Sequence, residues 1–294
     1  NYILTTKEKY DVIVAEPSNP WVKGSSTIFS REVFETYRDR INEDGLVAQW
    51  VQVYRLSNED LKTMINTFRS VFPHTTLFSQ FNYPDLIMIG SLKPLKLDLD
   101  KLQTKLQDEN VKKSLARVKS DDLYTILSFL LMDESSVALY AGEAPVNTDD
   151  RPIIEYTAPK NMYLNTTGTN WESMRGLKTS ALALLPDLKG TPVGNRIQKD
   201  FEAREKFMQG TVYREQGLWT KSVEAMEEAW NLSPANGSIL QGLAGSYEAA
   251  GEYYYNQNYY NDALDQYELA LKVILNAKIS KPAKAEEPKS YKDV

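Results

Sequence analysis

The chain has 294 residues, 42% of them hydrophobic, and its 34 Lys plus Arg against 40 Asp plus Glu leave a net charge of −6. This is enough chain for two domains with a sizeable core in each, and the mild acidity argues against nucleic-acid binding, which draws on clustered positive charge. The absence of cysteine excludes disulfides, thiolate catalysis and Cys-based zinc sites, and one histidine, His74, cannot build a His-rich metal site, so no metal is expected.

Tyr10-Asp11-Val12-Ile13-Val14-Ala15 is a short apolar run ending at a carboxylate and a proline, and it reads as a buried parallel strand. Residues 27–41 place Ile28, Val33, Phe34, Tyr37 and Ile41 at helical spacing, and Glu43-Asp44-Gly45 ends that helix. Residues 46–53 form a second strand, with Gln49 and Gln52 read as looking toward one side, either into a polar cleft or into a satisfied internal network. Ser57-Asn58-Glu59-Asp60 is an N-cap box in which Asp60 reaches back, and it opens a helix that buries Leu61, Met64, Ile65, Phe68 and Val71 and closes at Pro73. Residues 75–79 and 86–90 are two further strands with no helix between them, which predicts an antiparallel hairpin at the sheet edge. Strand, helix, strand, helix, strand is the rhythm of a doubly wound α/β sheet.

Residues 96–132 read as helical, with a core stripe of Leu123, Ile126, Leu127, Leu130 and Leu131. Residues 146–160 read as a compact loop or short strand with two prolines, in which Asp149, Asp150 and Arg151 form a charged loop tied by Arg–carboxylate pairs. His74 reads as a surface residue. A connector is expected over 161–199, helices over 200–279, and a disordered tail of Lys, Glu, Pro and Ala over 280–294.

The helical part resembles tetratricopeptide repeats, helix pairs of about 34 residues with small residues at the crossings. Counted from Ala203, Gly210, Tyr213, Gly217, Ser222, Met226, Ala229 and Pro234 are of the expected type or size. A second repeat from Gly237 places Leu240, Leu243, Ala244, Tyr247 and Gly251. Ala263, Tyr267 and Ala270 follow once seven residues are inserted after Gly251, two helical turns that lengthen a helix without rotating its face. Tyr253, Tyr254, Tyr255, Tyr259 and Tyr260 read as helix packing rather than a recognition stripe. The repeats either form a groove for a protein partner or dock on the upstream domain.

The chemically informative segment is Glu16-Pro17-Ser18-Asn19-Pro20-Trp21, which puts a carboxylate, a hydroxyl and an amide just past the C-terminal end of a strand, where doubly wound folds place their ligands. On the residues alone, Glu16 either faces a ligand or caps the next helix, Ser18 and Asn19 either contact substrate or stabilise the turn, and Trp21 reads as packing, with a pocket rim as the other reading.

This turn resembles the Asp-Ser-(Thr/Ser)-Asp-Pro turn of aminopropyltransferases of the spermidine-synthase-like family, in the branch fused to membrane segments. Phe29-Ser30-Arg31-Glu32-Val33-Phe34, Gln49-Trp50-Val51-Gln52-Val53-Tyr54, Phe68-Arg69-Ser70-Val71-Phe72-Pro73 and residues 147–156 carry the resemblance over about 1–160. It implies a Rossmann-like, S-adenosylmethionine-methyltransferase-type α/β domain over 1–160. The implied reaction moves an aminopropyl group from decarboxylated S-adenosylmethionine, as co-substrate, to an amine such as putrescine.

The resemblance makes Glu16 the base and puts Ser18, Asn19, Gln49, Tyr54 and Tyr83 around the amine, with Pro17 and Pro20 on the nucleoside side. Asn19 stands where the family has its second Asp and supplies no charge. The family's Gly-rich loop and ribose-binding acid lie upstream of residue 1, so the chain is expected to be part of a longer protein, cytoplasmic or anchored to the inner membrane through that upstream region, and a homodimer is one of the assemblies left open. Two alternatives stay open: a methyltransferase using intact S-adenosylmethionine, and a non-catalytic scaffold working through the helical repeats.

Overall fold

The computed structural model describes residues 2–80 and 85–279. Among them the chain folds as two compact units, one of residues 2–96 with 130–179 and one of residues 97–129 with 180–279.

The first unit opens with α1 (Tyr2–Thr5) and β1 (Tyr10–Ala15), followed by a 3-10 turn at Ser25–Phe29, α2 (Arg31–Arg38) and β2 (Ile41–Gln52). The expected helix over 27–41 is therefore broken. Ser30 stops the 3-10 turn and caps α2 by accepting from the Val33 N–H at 3.5 Å. Glu43, Asp44 and Gly45 lie inside β2, not at a helix end. β1 and β2 are parallel, with Tyr10 paired to Ile41 and Val12 already paired to Leu46, so residues 42–45 bulge out of the ladder. Asn42 Nδ2 pins that bulge to Asp11 Oδ1 at 2.7 Å.

α3 (Asn58–Arg69) starts as expected, with the Ser57 hydroxyl accepting from the Asp60 N–H at 3.0 Å. Asp60 does not reach back, because its carboxylate accepts from the Thr157 hydroxyl instead. β3 (His74–Phe78) and β4 (Asp85–Ser91) pair antiparallel, and β4 also pairs antiparallel with β2. The strand order is β1-β2-β4-β3-β5, so the hairpin sits inside the sheet rather than at its edge.

Residues 96–132 are not one helix, and 97–129 of them belong to the second unit. Asp98, Asp108 and Asp122 each cap a new one, giving α4 (Leu99–Gln107), α5 (Glu109–Ala116) and α6 (Leu123–Leu127). The run then closes the sheet as β5 (Leu130–Met132), fully buried, and α7 (Glu134–Ala141) follows. His74, read as a surface residue, is half-buried, with Nδ1 3.0 Å from Glu134 Oε1. Residues 146–160 contain α8 (Ile153–Thr157) and run into a 3-10 turn at Ala158–Asn161, and α9 (Thr167–Ser173) completes the first unit.

β1 is not buried: it forms one edge of the sheet, and Val12 and Val14 on one of its faces are 56% and 73% exposed. The opposite face of the sheet carries the core. There Gly90 lets β4 lie flush on α3, since a Cβ at this position would come within 2.6 Å of Phe68 Cε1 and 2.7 Å of Phe72 Cγ. The mixed sheet with its helices is consistent with a Rossmann-like methyltransferase-type fold.

In the second unit, Pro192 at the first turn and the Thr191 hydroxyl, accepting from the Gly194 N–H at 3.0 Å, start α10 (Pro192–Glu215), several residues ahead of the expected helical onset. α11 (Trp219–Leu232), α12 (Gly237–Asn256) and α13 (Tyr260–Ile279) follow, each packed on the one before. Small residues stand at the crossings. A Cβ on Gly210 would lie 2.9 Å from Met226 Cγ, one on Gly251 would lie 2.7 Å from Tyr267 Cε1, and the Ser222 hydroxyl donates to the Gly210 carbonyl at 2.8 Å. Arg204 is fully buried and donates to the Ser128 carbonyl; burial lowers its pKa to about 10. None of the described helices is long and apolar enough to cross a membrane. The tail at 280–294 lies outside the described residues.

Candidate active site at the open end of the sheet

β1 and β2 run parallel, β1 ending at Ala15 opposite Gln49 and β2 continuing three residues further to Gln52, where β4 begins beside it at Asp85. Residues just past the ends of β1 and β2 and at the start of β4 therefore gather at one end of the sheet. This is the position in which open α/β sheets hold their ligands.

Glu16 follows β1 directly and is exposed. It caps no helix: the Ser25–Phe29 turn begins at Gly24, and α2 is capped by Ser30. The side chains of Glu16, Ser18 and Asn19 have no hydrogen-bond partner among the described residues, so the turn is not stabilised by Asx-type bonds from these groups. Its backbone holds it instead, through the Val22 N–H donating to the Asn19 carbonyl at 3.0 Å. Pro20 is buried and Pro17 half-buried. Further along, the Glu155 carboxylate accepts from the Gly24 N–H at 3.3 Å and from the Ser26 hydroxyl. Gly24 takes φ +83°, a left-handed conformation in which a side chain would be strained.

The loop bearing Asp149, Asp150 and Arg151 is not tied by Arg–carboxylate pairs. Glu32 accepts from the Asp149 N–H at 3.0 Å. Buried Asn147 does the rest: Nδ2 donates to the Phe29 carbonyl at 3.1 Å, Oδ1 accepts from the Ile154 N–H at 3.1 Å, and its N–H donates to the Thr67 hydroxyl at 2.8 Å.

Tyr54 lies in the turn after β2. Arg55 beside it has φ +55°, a conformation that costs a non-glycine residue energy and needs support. The support comes from Asn170 Nδ2, which donates to the Val53 carbonyl at 2.7 Å and the Leu56 carbonyl at 2.9 Å, and from the Thr166 hydroxyl, which accepts from the Leu56 N–H at 3.1 Å. The Tyr54 ring meets Trp21 edge-on with centroids 6.1 Å apart. Burial raises the Tyr54 phenol pKa, Asp85 raises it further, and Arg55 opposes both.

Gln49 and Gln52 do not share a face. The β2–β4 register is regular from Leu46 to Gln52, and residues three apart in a strand point to opposite sides. Gln49 lies on the core face with Val47 and Val51; it is fully buried, with Nε2 donating to the Trp50 carbonyl at 3.1 Å and Oε1 unpartnered. Gln52 lies on the other face with Trp50. It too is fully buried, and neither atom of its amide has a partner.

Asp85, directly across from Gln52, is the group that sequence reasoning missed. Burial raises its pKa, a hydrogen bond from the Trp50 side chain lowers it, and the charge of Glu16 raises it again. Its Oδ1 is buried without a partner. No local signal marks it, because the antiparallel β2–β4 pairing that sets Asp85 opposite Gln52 joins strands that are not consecutive in the chain. Tyr83 lies outside the described residues. Among the described residues no three His, Asp or Glu side chains converge to hold a metal ion.

The structure thus brings Glu16, Tyr54 and Trp21 together with Trp50, Gln52 and Asp85, and places Gln49 on the opposite face. Two neighbouring carboxylates, half-buried aromatic rings and an unpartnered amide make a site suited to a cation.

Residues 1–91 match the spermine/spermidine synthase domain family. The polyamine aminopropyltransferase of Saccharolobus solfataricus is 27% identical over 113 residues, which are 36% of this chain and 37% of that protein. Polyamine aminopropyltransferase 2 of Aquifex aeolicus is 23% identical over 160 residues, 53% of this chain and 29% of that protein. The chain spans about a third of the length of these curated relatives, and its first 91 residues, which contain the whole candidate site, are similar to a spermine/spermidine synthase domain.

Proposed function

We propose that the protein to which this chain belongs transfers an aminopropyl group from decarboxylated S-adenosylmethionine to an amine such as putrescine. The observation that carries this reading is the exposed carboxylate of Glu16 at the end of β1, within electrostatic reach of a second carboxylate, Asp85, which in turn acts on Tyr54 and through it adjoins the Trp21 ring, all within the part of the chain similar to the synthase domain.

An amine attacks carbon only as the free base, so the site must take a proton and must offer acceptors to the ammonium form. In this reading Glu16 accepts the proton. The amine nitrogen lone pair forms a C–N bond at the carbon next to the sulfonium, the C–S bond breaks, and its electron pair leaves on sulfur as the neutral thioether. Holding the two reactants in line supplies a large part of the rate. Ser18, Asn19, Tyr54 and Tyr83 are proposed around the amine, and Pro17 and Pro20 on the nucleoside side; Gln49 is left out of the amine site, because it is buried on the opposite, core face of the sheet.

The test is turnover of the full-length protein with the decarboxylated donor and putrescine. Glu16→Gln should lower kcat by roughly 10²–10⁴-fold, the usual worth of a positioned base. Use of the intact donor with methyl transfer would favour a methyltransferase instead.

A second reading has its own observation. On α13, Tyr260, Leu264, Tyr267, Leu271 and Ile274 recur every three to four residues and are 57%, 56%, 37%, 55% and 43% exposed. An exposed apolar stripe of this kind favours a protein partner for the tetratricopeptide-like helices. Leu264→Glu with Leu271→Glu should abolish such an association while leaving amine transfer unchanged.

A further inference from the structure

Asn19 stands where a second carboxylate is expected, yet the end of the sheet carries one from another strand. Gln52 and Asp85 are directly opposed in the antiparallel β2–β4 pair, so their side chains leave the same face with Cβ atoms about 4.5–5.5 Å apart. Trp50 shares that face and its side chain hydrogen-bonds Asp85.

What marks the spot as a ligand position is the polarity left unanswered there. Gln52 is fully buried, and both its amide atoms lack a partner, as does Asp85 Oδ1. A buried polar group of this kind destabilises the fold unless something pairs with it. No Lys or Arg among the described residues lies within ion-pair distance of Asp85. The pair is not a closed structural network: two acceptor oxygens, Asp85 Oδ1 and Gln52 Oε1, stand without a donor, and the Gln52 amide N–H stands without an acceptor. An ammonium group carries three donors and a positive charge, and it answers the Asp85 carboxylate and the Gln52 carbonyl together.

We infer that Asp85 and Gln52 form the subsite for the distal ammonium group of a diamine, replacing the charged contact that Asn19 cannot make, with Glu16 serving the attacking nitrogen. The inference rests on the amine-transfer reading above. It makes the enzyme selective for acceptors with two ammonium groups, and it makes Asp85 a specificity-determining residue. The electrostatics agree: burial and the nearby Glu16 charge both disfavour the ionised Asp85 carboxylate, so an arriving cation has charge repulsion to relieve.

The experiment is calorimetric titration of the full-length protein with putrescine and, separately, with 1-aminobutane. The wild type should bind putrescine more tightly. Asp85→Asn, which keeps the shape and the acceptor for the Trp50 side chain, should weaken putrescine about tenfold or more and leave 1-aminobutane within about twofold, so the preference collapses. Asn19→Asp added to Asp85→Asn should restore part of it. If Asp85→Asn loses its fold, Gln52→Met provides the same comparison without a change of charge, and the preference should again shrink. A variant that folds and keeps the wild-type preference overturns the subsite while leaving amine binding intact. A wild type that binds neither amine overturns the amine reading and the subsite together.

Discussion

Asn147 reaches the Phe29 carbonyl with Nδ2 at 3.1 Å, and this bond joins the loop before α8 to the turn that follows the Glu16 segment, more than a hundred residues earlier in the chain. The same side chain accepts from the Ile154 N–H, and the residue is 1% exposed. Asn147→Ala would leave a buried carbonyl and a buried N–H without partners. We expect a loss of about 2–4 kcal/mol, read from urea unfolding, from two such orphaned groups. A loss below about 1 kcal/mol would mean that water replaces the amide at both ends.

Tyr140 is the group that should govern the alkaline limb of stability. It is buried, its hydroxyl lies 2.9 Å from Asn58 Nδ2 and 3.3 Å from the Ser173 hydroxyl, and burial pushes its pKa up to about 12. A phenol whose folded pKa exceeds the ordinary 10 holds its proton longer in the native state than in the unfolded chain. Its contribution is complete below pH about 10 and is lost as pH rises toward about 12, on the order of 2–3 kcal/mol in total. Tyr140→Phe should cost about 1 kcal/mol at neutral pH and flatten that alkaline decline. Unfolding midpoints at pH 8 and 11 test both.

Asp85 should show the opposite trade, stability sacrificed for binding. Its folded pKa lies above the ordinary 3.8, so the native state binds the proton more tightly than the unfolded chain. Stability from this group is therefore greatest below pH about 3.8 and falls as pH rises through the raised value. Asp85→Asn should melt at or above the wild-type temperature at pH 7, with the advantage shrinking at pH 4. A lower melting temperature at pH 7 would show that the ionised carboxylate supports the fold.

Gly90 should tolerate no side chain. An added methyl would meet the Phe68 and Phe72 rings at 2.6 and 2.7 Å, and both residues are fully buried. Gly90→Ala should destabilise by about 1–3 kcal/mol through overpacking, measurable by thermal unfolding. Wild-type stability would show that α3 can slide off the sheet without loss.

Local chemistry was legible in the sequence wherever it acts within a few residues. Ser57 declares the start of α3, and the Glu16 turn declares the end of β1. The same local grammar exposes the error over residues 96–132: Asp98, Asp108 and Asp122 are N-caps in plain view, and each restarts the helix. Partners fixed by register were not legible. Asp85 acquires its meaning only from lying opposite Gln52, and Gln49 lost its place in the cleft to the period-two alternation of a strand. β5, three residues of Leu-Leu-Met, is too short to announce itself against a helical background.

The position of β1 bears on how the chain behaves in solution. Its outer row of amides and carbonyls has no strand beside it among the described residues, and Val12 and Val14 stand exposed next to that row. Such an edge is a template for a foreign strand. Any fragment that leaves it uncovered should self-associate as its concentration rises, and Val14→Lys, by putting a charge on the edge, should keep it monodisperse.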